Sequence, residues 1–194
     1  DKEKAEIDSI NDSADKIVAK VNDTEILKRD LDYAIRMEKL KYEYQLQKYE
    51  RTKHIFGRES IRETNIAPPQ ELTPDQILNR LIENEVLYQE AKAQDLDVSY
   101  EEAEKYANEM RRIQQQIISG ETTVPNREEY YLIQEIITQY IKGMGITEDD
   151  YWALTVPIYQ KTLSIGNLKA KVKSSMKKDG SEDANAYFEQ YVKD

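Results

Sequence analysis

The first periodic signal along the chain is short. Ile17, Ala19 and Val21 alternate with Lys16, Val18 and Lys20, which is the two-residue period of a strand. Asn22-Asp23 then offers a turn, and Thr24 to Leu27 reads as the return strand of a small hairpin. The next signal is much longer. From Lys28 to Lys53 there is neither Gly nor Pro, and Leu, Lys, Glu, Arg and Gln are frequent, so one helix of roughly 35 to 40 Å is predicted, with Gly57 ending the region. At about 100° per residue, Leu31, Ile35, Tyr42, Leu46 and Tyr49 share one face of that helix, and Tyr33, Met37, Leu40 and Tyr44 fall on nearly the opposite one. A helix with two apolar faces is either sandwiched between layers of its own domain or leaves one face for a binding partner or a second subunit.

Beyond the connection through Pro68-Pro69, helix starts can be read from capping chemistry. Thr73-Pro74-Asp75-Gln76 supplies an N-cap, a proline at the first helical position and a glutamine placed to bond back to the cap. Ile77, Leu78, Leu81, Ile82 and Tyr88 follow at helical spacing, and Glu85 alone breaks the stripe. Ser99 with Glu102, Asn126 with Glu129 and Thr147 with Asp150 repeat the pattern. The helix after Ser99 is expected to stop at Gly120 and the one after Asn126 at Gly143. Pro157 should kink or restart the helix that carries Trp152, Gly180 should close it, and Tyr187, Phe188, Tyr191 and Val192 mark a short last helix. The fold class expected is mainly α: an irregular bundle of about six or seven helices with one small N-terminal β-hairpin. Residues 1–15 are rich in Asp, Glu, Lys, Ser and Asn and read as a tether; residues 16–194 read as one helical domain. No internal repeat is present.

Composition narrows the function. Lys and Arg total 28 against 38 Asp and Glu, a net charge of −10, which repels nucleic acid. There is no Cys, and His54 is the sole histidine, so thiolate catalysis, disulfides and a transition-metal site are not expected. No Gly-x-x-x-x-Gly-Lys-Ser/Thr loop is present, so no nucleotide or other cofactor is implied. No His pairs with a Ser as a triad would require. The acidic pairs Glu101-Glu102 and Asp149-Asp150 sit at expected helix starts, where carboxylates favour the helix dipole. No apolar run reaches the length of a membrane span. The chain begins with Asp1 rather than Met, which suggests a mature or trimmed form. Tyrosine is abundant, 14 against 2 Phe and 1 Trp; its apolar ring and polar tip suit a half-wet groove, or the edge of a helical core.

Three segments in order and spacing resemble the chaperone domain of the SurA/PrsA family. VNDTEILKRDL, from Val21 to Leu31, is similar to its hairpin-then-helix opening. LIENEVLYQEAKAQDLDVSYEE, from Leu81 to Glu102, is similar to an apolar helix that turns and restarts at a Val-Ser-x-x-Glu cap. GITEDDYW, from Gly145 to Trp152, with the following YQKTLSIGNLKAKV, is similar to the version in lipoproteins of Gram-positive bacteria. The turn glycine of the family is replaced by Asp23 and by Asp95, and its cap threonine by Leu27, which cannot cap.

The resemblance implies an ATP-independent extracytoplasmic chaperone, a holdase of the foldase family that binds unfolded or secreted polypeptides. It would be lipid-anchored at the outer face of a bacterial membrane through an N-terminal anchor absent from this chain, and a homodimer is compatible with it. The family often carries parvulin prolyl-isomerase domains. Lys53-His54-Ile55 echoes one of their His-Ile pairs without the surrounding strand pattern, so His54 reads as an exposed helix-end residue and no catalytic residue is assigned. Tyr33, Met37, Leu40 and Tyr44 are the candidate client-binding residues, because Tyr and Met adapt to varied partners. The alternatives are a cell-envelope adaptor with one dedicated protein partner and a degenerate prolyl isomerase.

Overall fold

The structure is a computed structural model, and it describes residues 15–63, 67–125, 127–179, 188, 191 and 192. The expected tether therefore lies outside the described residues, except for Asp15. By its internal contacts the chain divides into two compact units, Asp1–Glu83 and Asn84–Asp194.

The first unit opens with an antiparallel hairpin, β1 (Ile17–Val21) and β2 (Thr24–Leu27). Val21 faces Thr24 across the turn, and Asn22 takes the left-handed conformation at φ 52°, which Asn tolerates better than most residues. The expected inward alternation fails at one end. A register shift between Ile17 and Ala19 leaves Ile17 48% exposed while Val21 and Ile26 are buried. The hairpin runs without a gap into α1 (Lys28–Glu63). Leu27 cannot cap, and the start is satisfied otherwise: the Asp30 carboxylate accepts the Leu27 N–H at 3.0 Å, and the Lys16 carbonyl accepts the Lys28 N–H at 2.8 Å. The hairpin itself thus completes the helix end. Gly57 does not terminate α1, which continues six residues past it to Glu63; one glycine in a helix costs only about 1 kcal/mol relative to Ala.

α2 (Pro74–Ala93) begins with the expected capping box. The Thr73 N–H donates to Gln76 Oε1 at 2.9 Å and the Gln76 N–H to Thr73 Oγ1 at 3.3 Å. Its end is a left-handed turn at Asp95, φ 55°, where the Asp95 N–H bonds to the Lys92 carbonyl and the Leu96 N–H to the Ala91 carbonyl. Asp95 therefore does the work of the missing turn glycine.

The second unit continues with α3 (Tyr100–Ser119), α4 (Arg127–Met144) and α5 (Glu148–Asp179). Ser99 and Glu102 form a complete capping box on α3, and Gly120 closes it in the left-handed conformation. Asn126 lies outside the described residues, although α4 begins directly after it. Gly143 is not the end of α4; Gly145 is, at φ 64°, with the Ile146 N–H reaching back to the Ile141 carbonyl. Thr147 and Asp150 cap α5 reciprocally at 3.0 and 3.1 Å.

The helix count is five among the described residues rather than six or seven. α5 runs unbroken through Pro157. Ala153 and Pro157 are both exposed, so the carbonyl that loses its partner at the proline can turn to water, and the Thr155 hydroxyl bonds to the Trp152 carbonyl one turn earlier. Of the expected last helix only Phe188, Tyr191 and Val192 are described, all helical.

Among the described residues, two apolar clusters of this unit stand out. Leu87 and Ala91 of α2 meet Leu168 and Val172 of α5 and Phe188; Ala103 and Ala107 of α3 meet Val156 of α5. Between the clusters, α5 grips the α2–α3 connection with polar side chains at helical spacing. Ser164, fully buried, accepts the Val98 N–H at 2.9 Å, Gln160 donates to the Val98 carbonyl at 2.9 Å, and Asn167 donates to the Leu96 carbonyl at 3.1 Å. Lys171 completes the row on Gln94 at 2.8 Å. Glu85, which broke the apolar stripe of α2, is buried and receives Lys161 Nζ at 2.6 Å and Gln89 Nε2 at 3.0 Å.

Candidate functional site

The four candidate client residues lie together on α1. At about 100° per residue, Tyr33, Met37, Leu40 and Tyr44 span about 60° of its circumference, and all four are half-buried. So are Leu31, Ile35, Tyr42, Leu46 and Tyr49 on the other face. The expectation that this second set forms a buried core while the first faces a partner is not met by burial, which is the same on both sides. Charge separates them. Around the Leu31 face, Lys28 pairs with Asp32, Lys53 with Glu50 at 3.1 Å, and Glu38 with Arg80 of α2 at 3.7 Å, with Lys39 beside them. Around the Tyr33 face, within about 90° of its centre, stand Arg29, Arg36, Lys41, Lys48 and Arg51 against Asp30 and Glu43. All five cations are exposed.

Lys48 lies over the Tyr44 ring at 6.0 Å, and Lys53 over the Tyr49 ring at 5.9 Å, contacts that orient a cation at the apolar edge. Arg29 is held by Asp15 at 2.7 Å, and Lys41 reaches Glu38 at 3.4 Å. The cationic border was missed by a reading of apolar periodicity alone. Its signal was present in the i, i+4 spacing of Tyr44 with Lys48.

Elsewhere the tyrosines divide. Tyr140 and Tyr151 are buried, their ring centroids 5.8 Å apart, and Trp152 packs edge-on to Tyr151 at 5.6 Å. Tyr159 meets Tyr106 edge-on at 5.1 Å, and its burial pushes its hydroxyl above the usual tyrosine range. Tyr140, Tyr151, Trp152 and Tyr159 finish helix packing, whereas Tyr100 and Tyr131 are exposed and Tyr106, though in contact with Tyr159, is exposed as well.

The acidic pairs are occupied as the helix starts demand. Glu102 accepts from the Ser99 hydroxyl and N–H, and Asp150 from those of Thr147, bonds that hold both carboxyls below the usual range. Asp149 and Glu148 receive Arg111 at 2.7 and 3.2 Å, which ties α3 to the start of α5; the Asp149 bond is the main cause that raises the Arg111 guanidinium further. Glu101 pairs with Lys105 at 3.0 Å. His54 is exposed but stands inside α1, not at its end. Among the described residues no group of three His, Cys, Asp or Glu could hold a metal ion.

The described residues thus form a mainly helical fold in which a hairpin runs directly into one long, two-faced helix followed by shorter helices. A family model described as the SurA-like N-terminal domain matches residues 5–151, and the chain belongs to that family. The match takes in the hairpin, α1 and the candidate surface, and it ends in the first turn of α5. No curated protein and no solved structure matches the chain.

Proposed function

We propose that this protein is an ATP-independent holdase that binds unfolded or partly folded polypeptides outside the cytoplasm, with the Tyr33, Met37, Leu40 and Tyr44 face of α1 as its client surface. The observation that carries this reading is that face: half-buried aromatic and flexible side chains on a helix of a chaperone family, edged by exposed cations. Tyr and Met accept varied partners at low cost in shape, because a large ring and an unbranched thioether repack easily. Aggregation is the direct test. Stoichiometric protein should slow light scattering by several denatured model clients, and no effect on any of them would remove the reading.

An extracytoplasmic site and lipid anchoring rest on the similarity of GITEDDYW and its flank to Gram-positive lipoproteins; fractionation of cells with and without globomycin treatment would test both. A dedicated adaptor is distinguished by pull-down, since a holdase recovers many unrelated chains and an adaptor one. Prolyl-isomerase activity is expected to be absent. Acceleration of a proline-limited refolding reaction that is lost on changing His54 to Ala would contradict that.

A further inference from the structure

The client surface carries a charge opposite to that of the molecule. The chain has a net charge of −10, yet α1 holds ten Lys and Arg against seven Asp and Glu, a net charge of +3. The surplus is not spread evenly. On the Leu31 side, Lys28 pairs with Asp32 and Lys53 with Glu50 along the helix, and Glu38 pairs with Arg80 of α2. On the Tyr33 side, the exposed Arg36, Lys41 and Lys48 flank the stripe along its length. Asp30, on this border, is engaged by the Leu27 N–H, and Glu43 stands beside the cations, while Arg29 is held by Asp15 and Lys41 reaches Glu38 at 3.4 Å.

We infer that the Tyr33–Tyr44 face of α1 selects acidic, apolar-containing segments of unfolded chains. This rests on the holdase reading and names its substrate class. Apolar side chains of the segment would lie along Tyr33, Met37, Leu40 and Tyr44, and its carboxylates would meet Arg36 and Lys41 on opposite sides of the stripe and Lys48 at its end. Ionic screening limits exposed charges to a range of about 8 Å at physiological salt, so a bound segment senses the charges bordering the stripe more strongly than the net charge of the chain. The inference opposes what net charge alone dictates, since a protein at −10 attracts basic chains over longer distances.

The test uses the full chain and fluorescently labelled peptides of one apolar sequence flanked by Glu, by Gln or by Lys, with anisotropy as the readout. At physiological salt the Glu peptide is expected to bind about fivefold more tightly than the Lys peptide, the scale of a few exposed ion pairs. Combined Arg36→Glu, Lys41→Glu and Lys48→Glu changes should invert that order, and the matching Gln changes should abolish it. Unaltered circular dichroism confirms that each variant is folded, as expected for exposed positions. Equal binding of the three peptides, tighter binding of the Lys peptide, or an order unmoved by charge reversal would overturn the selectivity while client binding stands. Failure to bind any of the three would overturn both the selectivity and the surface on which it rests.

Discussion

Glu85 shows what a residue can and cannot disclose by its place in the sequence. It was legible as an interruption of an apolar stripe, but its partner Lys161 lies 76 positions away, and no local spacing points to it. With Lys161 removed, a buried carboxylate loses its cation and keeps the hydrogen bond from Gln89. Lys161→Met is therefore expected to cost about 1 to 3 kcal/mol in urea denaturation, less than for a fully buried pair because the lysine is 45% exposed. Glu85→Gln should cost less, since the amide can still be hydrogen-bonded. Ser164 was equally hidden: its hydroxyl is the partner of a backbone N–H in another connection. Ser164→Ala strands that donor and should cost about 1 to 3 kcal/mol, whereas Ser174→Ala on the exposed side of α5 should be nearly neutral.

At the scale of elements, helix starts were far more legible than helix ends. Thr73, Ser99 and Thr147 each lie three residues before the side chain that bonds back to them, so the whole motif is contained in four positions. Helix ends depend on which residue can take a left-handed turn, and there Asp95 replaced glycine while Gly57 and Gly143 stayed helical. The carboxylate caps also set a pH dependence. Glu102 and Asp150 are lowered from ordinary values of 4.5 and 3.8, so their contribution is present above those values and is lost as pH falls through the depressed ones. Melting temperature should fall below about pH 4.5, and more shallowly in a Glu102→Gln, Asp150→Asn double variant. Along α1, periodicity disclosed both apolar faces correctly but not their burial, because a pattern of apolar residues says nothing of how completely neighbours cover them. Leu31→Ala and Ile35→Ala are accordingly expected to cost about 1 to 2 kcal/mol, less than a fully buried truncation. Changing Tyr33, Met37 and Tyr44 together to Ser should weaken client binding at a nearly unmoved melting transition; a melting transition lowered as far as by the Leu31 or Ile35 change would place those residues in the packing instead.

For the molecule as a whole, charge, the lack of cysteine and the order of three segments were enough to reach the family, because each can be read without tertiary contacts. What they could not reach is the dependence of the second unit on α5, most of which lies beyond the matched residues. Val156, Ser164, Leu168 and Val172 join the two apolar clusters described above and the polar clasp. A chain ended after Tyr151 should therefore keep far-ultraviolet helicity but lose near-ultraviolet tyrosine and tryptophan signals and cooperative melting. The same clasp imposes an order in time. Val98 leaves a ribosome or a translocation pore well before Gln160 and Ser164, and its backbone cannot acquire both native partners until those residues have followed. The turn between α2 and α3 is thus a late event in synthesis, closed by contacts of long sequence separation that are slow to form. Its amide is also a built-in clock. Pulse-labelled hydrogen exchange should find the Ala103 N–H, bonded to nearby Ser99, protected early in refolding, and the Val98 N–H only when α5 has docked.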